Sequence, residues 1–133
     1  MTTTAANPAN GKIYRLPLVD APAPADLELF HDYSFGEAPD QLAFGTKGKL
    51  YVSLALSNQI SVLNSDGTEA ARIDSLPGDD IPLDAPAGIA FDSTRKSLMI
   101  ANHALLTGDP AHFAVLRMDA NDPGNPLEKP FLP

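Results

Sequence analysis

The chain contains no cysteine. Disulfide staples, thiolate zinc sites and cysteine nucleophiles are therefore all excluded. Basic residues are scarce: nine Lys and Arg stand against seventeen Asp and Glu, for a formal net charge of −8. Such a chain carries no electrostatic footprint for nucleic acid or an anionic membrane surface. Lys47, Lys49, Arg95 and Lys96 form no continuous basic patch. The acidity suits cations or cationic ligands, and it equally serves solubility. No run of about eighteen apolar residues is present, so no membrane-spanning helix is expected. Met1 to Asn7 has neither a basic region nor an apolar core, so no signal peptide is expected and the chain reads as soluble and intracellular.

Proline and glycine, by contrast, are plentiful. Thirteen prolines and nine glycines punctuate 133 residues, a length suited to one domain. Short apolar runs between such punctuation favour an all-β fold over long helices. The organising stretch is Ala38-Pro39-Asp40-Gln41-Leu42-Ala43-Phe44, echoed 47 residues later as Ala85-Pro86-Ala87-Gly88-Ile89-Ala90-Phe91. A repeat at this period implies a fold built of copies, most simply β-propeller blades of four short antiparallel strands.

The first whole repeat divides into Gln41 to Phe44, Lys49 to Leu56, Gln59 to Leu63 and Glu69 to Ile73. Asp66-Gly67 marks the last hairpin, because glycine accepts the positive φ that such a turn requires. The second repeat uses Gly88 to Phe91, Lys96 to Ala101, His112 to Met118 and Leu127 to Leu132. Earlier, Lys12 to Val19 and Leu27 to Tyr33 read as strands on either side of the Pro-rich connector Asp20 to Ala25. Gly11-Lys12-Ile13-Tyr14 takes the place of Gln59-Ile60-Ser61-Val62. The expectation is one partial propeller domain over 1–133, with a part-blade at 1–37 and blades at 38–84 and 85–133. That is roughly two and a half blades, whereas propellers close with about four to eight. Self-association or a complementary half-propeller is therefore expected.

Pro39-Asp40-Gln41-Leu42-Ala43-Phe44 leading to Gly48-Lys49-Leu50-Tyr51-Val52, and Pro86 to Phe91 leading to Leu98-Met99-Ile100-Ala101-Asn102-His103, resemble the senescence marker protein/gluconolactonase/luciferin-regenerating-enzyme family of six-bladed propellers. The stretch from Asn102 to His112 is similar to that family's C-terminal blades. The resemblance covers most of residues 10–120 and lacks the family's N-terminal half. It implies a lactonase-like hydrolase of a lactone or small ester with one calcium or zinc ion on the axis. Of the family's ligands, an Asp in a Pro-Asp-Gly-type motif has a counterpart, Asp40, with Gln41 in the usual place of glycine and Ala87 at the next repeat. The other ligands would belong to the missing half.

Strand direction sorts the remaining candidates. Connectors into the inner strands and loops after the second strands share one face, which places Asp40, Asn102, His103, Thr107, Asp109 and His112 together. Asp40 suits a hard cation, or it caps a turn after proline. His103 and His112 could pair across their loop as metal ligands or as base and orienter, or one of them could fix that loop through a backbone bond. Asp79, Asp80 and Asp84 form an acidic connector that recruits a cation or is simply solvated. His31 has no evident role, and Ser53 and Ser57 lack a nucleophile-elbow context. No catalytic residue can be assigned from the sequence. The leading expectation is a metal-dependent lactone or ester hydrolase acting on a small molecule. The alternative is a non-catalytic binding or scaffold propeller, or a half-propeller without activity of its own.

Overall fold

The computed structural model describes residues 11–126 apart from 77 and 79, and within these the chain is all-β. Three antiparallel sheets follow one another along the sequence. The first pairs β1 (Lys12–Arg15) with β2 (Glu28–Asp32). The second runs β3 (Pro39–Phe44), β4 (Leu50–Leu54), β5 (Gln59–Leu63) and β6 (Glu69–Ile73) in sequence order. The third runs β7 (Pro86–Asp92), β8 (Ser97–Asn102) and β9 (Val115–Asp119). The expected outer strand at Leu127 to Leu132 lies outside the described residues. Two single 3-10 turns, at Pro24–Asp26 and Pro110–His112, are the only helical elements among the described residues. No helix there is long and apolar enough to cross a membrane.

The strands follow the local chemistry. β1 stops at Arg15, earlier than its apolar pattern suggests, because Pro17 has no N–H with which to continue a ladder. Asp66 accepts hydrogen bonds from the Thr68 N–H (3.0 Å) and hydroxyl (2.6 Å), and Gly67 supplies φ +85°, so the β5–β6 turn closes as its Asp-Gly pair indicates. The third strand of the last repeat starts at Val115 rather than His112. Pro110 opens a 3-10 turn there, and the Asp109 side chain caps it by accepting from the Ala111 N–H at 2.9 Å.

The repeat persists in the backbone. Ala38 and Ala85 both take φ +47°, an unfavourable value for a residue with a Cβ. Each carbonyl is then met from the loop after the next strand: Ala55 N–H reaches Ala38 O (3.0 Å) and His103 N–H reaches Ala85 O (3.2 Å). β3 and β7 each carry a bulge just after their proline, between Pro39 and Leu42 and between Pro86 and Gly88.

Packing alternates with the pleat. Leu50, Val52, Leu54 and Leu63 join Ile13 and Tyr33 in one core, between the first and second sheets. Ala43, Tyr51, Ile60 and Val62 join Ile89, Leu98, Ile100 and Leu116 in the other, between the second and third. β7 lies beside β3 and β4, so the sheets stand side by side with their first strands adjacent. Ile13 corrects the earlier register by one residue: the β1–β2 ladder shifts after Ile13 and His31 as the β5–β6 ladder does after Val62 and Ala71, so Ile13 takes the place of Val62 rather than Ser61.

At the far end of the strands, Asp122 ties the third sheet to the second. Its carboxylate accepts from Thr46 N–H (2.9 Å), Thr46 hydroxyl (2.8 Å) and Gly124 N–H (3.0 Å). Burial pushes the Asp122 carboxyl up, but the bonds from Thr46, Gly124 and Lys47 outweigh it and hold the group below the usual carboxylate range.

Candidate functional site

The loop from His103 to His112 folds back over the connector that leads into β7. Asp84, in that connector, is 1 % exposed. Its side chain gathers the loop: Oδ2 accepts from the Thr107 hydroxyl and lies 2.9 Å from His112 Nδ1, and Oδ1 accepts from Leu106 N–H at 3.3 Å. Its backbone is held as well. Asp84 N–H donates to Asn102 Oδ1 (3.1 Å), Asn102 Nδ2 donates to Pro82 O (2.7 Å), and Ala104 N–H donates to Asp84 O (2.9 Å). Thr107 Oγ1 in turn accepts from Asp109 N–H at 3.1 Å.

The Thr107 hydroxyl bond is the largest influence on the Asp84 carboxyl; with His112 and the loop N–H groups it overcomes burial and holds Asp84 below the usual carboxylate range. Asp84 is thus ionised at neutral pH and can only accept. His112 Nδ1 must then carry the proton, which leaves Nε2 as the ring's basic nitrogen. That atom stands 3.8 Å from Asp109 Oδ2 in a half-buried ring. A carboxylate that fixes the tautomer of an imidazole and leaves the other nitrogen to its surroundings is the arrangement of a general base and its orienting partner.

Of the residues expected on one face, Asn102, Thr107, Asp109 and His112 do come together. Asn102 is buried and positions the Asp84 backbone rather than facing a ligand. His103 contributes its N–H to Ala85 O, and its residue is exposed. Asp40 lies exposed at the β3 bulge, beside Gln41, whose N–H donates to Ser53 Oγ at 3.0 Å. The solvated acidic connector needs correction at one of its members. Asp80 is exposed and Asp79 lies outside the described residues, but Asp84 is buried and is the centre of the cluster. A signal for it existed: Glu37-Ala38-Pro39 and Asp84-Ala85-Pro86 place an acid at the same point of each repeat. Glu37 also holds a side chain distant along the chain, the guanidinium of Arg72.

A hard divalent cation needs several oxygen donors, and zinc needs at least three protein ligands. Among the described residues no three His, Asp or Glu side chains are grouped to hold a metal ion. The described residues alone thus supply no complete donor set; the resemblance places the ligands other than Asp40 outside them, and the chemistry below uses this chain's own side chains. A cleft of about 760 Å³ lies along β3 and β7 and is lined by Leu42, Phe44, Ile89, Phe91 and Pro126 among others, none of them titratable. It is a place for apolar groups and not the seat of acid–base chemistry. Comparison of the chain with protein-family models, curated proteins and solved structures finds no match.

Proposed function

We propose that this chain is part of a propeller-type ring whose upper face hydrolyses a lactone or small ester, with His112 as general base. The observation that carries this reading is the Asp84–His112 pair, in which a buried carboxylate leaves Nε2 as the ring's basic nitrogen. Nε2 would take a proton from water as its oxygen adds to the carbonyl carbon. Collapse of the tetrahedral intermediate breaks the ester C–O bond, and the proton returns to the leaving alkoxide, giving a hydroxy acid from a lactone. Asp84 stabilises the imidazolium formed on the way, and Thr107 and Asn102 position Asp84. The side-by-side second and third sheets, each beginning with the same Ala-Pro turn, support the ring, and the lactonase-like resemblance supports the substrate class.

The test is hydrolysis of an aldonolactone and of p-nitrophenyl acetate, followed against pH. Loss of a general base lowers rates by about 10²–10⁴-fold, so His112→Gln is expected to lose that much with its fold intact. A His112→Gln protein as active as the unaltered chain, or an unaltered chain with no activity toward either probe, removes the hydrolase reading. A second reading, a binding or scaffold module without turnover, is favoured by one observation: the hydrogen bonds Asp84 accepts all come from the loop it anchors.

A further inference from the structure

The far face of the third sheet repeats a surface that is covered one sheet earlier. The ladders fix the equivalence. Val52 pairs with Ser61 and Ile100 with Leu116, so Ile60 corresponds to Val115 and Tyr51 to Met99. By the same register Ala43 corresponds to Ala90 and Val62 to Arg117, so the face repeats the covered surface except at one position, where an exposed cation replaces a buried valine. On the second sheet Ala43, Tyr51 and Ile60 are each under 10 % exposed, because the third sheet covers them. On the third sheet Val115 is 68 % exposed, Ala90 and its neighbour Ala101 are exposed, and Met99 is half-buried. The first sheet has the complementary need. On β2, Phe30 packs into the core while the preceding residue, Leu29, lies 53 % exposed, and Leu27, two residues earlier, is also exposed.

We propose that the far face of the third sheet docks the first sheet of a second copy of this chain, head to tail. The proposal rests on the ring reading above and names the partner that completes it. Contact of the second sheet with the third already shows how such faces pack, and the new contact continues that interface by one more step. Each chain has three described sheets, so two copies joined at both ends bring six into one ring, within the roughly four to eight that close a propeller. Each copy also carries −8, so the pairing works against charge repulsion and should tighten as salt screens it.

Sedimentation of the full chain at rising salt tests this, with Val115→Glu and Ala101→Arg on one face and Leu29→Glu on the other. All three positions are exposed, and far-UV circular dichroism checks that each variant folds. The unaltered chain is expected at twice its 14.1 kDa mass. Each single variant is expected to weaken dimerisation by at least about 30-fold, since it places a charge in a contact that must desolvate it. Mixing Val115→Glu with Leu29→Glu should restore a dimer, because each then keeps the face its partner lacks. A monomeric unaltered chain, variants that still dimerise, or a mixture that stays monomeric overturns the proposal. Hydrolysis that depends on His112 in a monomer would leave the chemistry standing and remove only the docking; a dimer without hydrolysis would do the reverse.

Discussion

Replacing Asp122 by alanine is expected to destabilise the chain by about 2–4 kcal/mol, more than any exposed substitution. Asp122 is 1 % exposed and joins residues 76 apart in the sequence. The losses are unequal. Thr46 and Lys47 are exposed, so water can replace the carboxylate there, at roughly 0.5–1.5 kcal/mol for each Thr46 bond. Gly124 is buried, and its N–H would be left without a partner, at about 1–3 kcal/mol. Asp122→Asn keeps one acceptor oxygen and should lose about half as much. Urea unfolding followed by far-UV circular dichroism measures the change, and the melting midpoint should fall on the order of 10 °C. Asp74→Ala, at an exposed position, should stay within about 0.5 kcal/mol. An Asp122→Ala protein as stable as Asp74→Ala would show that the carboxylate does not join the two sheets.

Two further outcomes follow from the same contacts. Asp84 and Asp122 both sit below the usual carboxylate range when folded, so their stabilisation is full above their unfolded pKa values and is lost as pH falls through the folded ones. Acid titration should therefore show stability declining below about pH 4, and less steeply in Asp122→Asn. Gly67→Ala should cost more than about 2 kcal/mol by urea unfolding, because at φ +85° a Cβ would stand 2.0 Å from Phe30 O and would press the β5–β6 turn against the first sheet. A neutral result would mean that this turn and β2 are not in contact.

The repeated Ala-Pro turn made the sheets legible, since its period sets the spacing of the strands. β5 falls where Ile60 and Val62 place it, and the more polar β6 falls where the Asp66-Gly67 turn returns the chain. What escaped the sequence depends on residues distant along the chain. An aspartate among other acids in a polar connector looks solvated, and nothing local shows that Thr107 and His112, 23 and 28 residues on, will bury Asp84. The same holds for Asp122, which reads as part of a Pro-Gly turn until Thr46 is brought to it. The slip of one residue at Ile13 arose because a four-residue strand with a bulge carries too little alternation to fix its own register. The gathering of Asn102, Thr107, Asp109 and His112 was legible because strand direction alone sends their loop to that end.

The most direct measurement is the tautomer of His112, read from its ring nitrogens by long-range ¹H–¹⁵N correlation at neutral pH, in the unaltered chain and in Asp84→Asn. With Asp84 ionised and accepting from Nδ1, the ring should be protonated at Nδ1 when neutral and bare at Nε2, and Asp84→Asn should change that signature. A neutral ring protonated at Nε2, or one indifferent to Asp84→Asn, would contradict the claim that this pair presents a base.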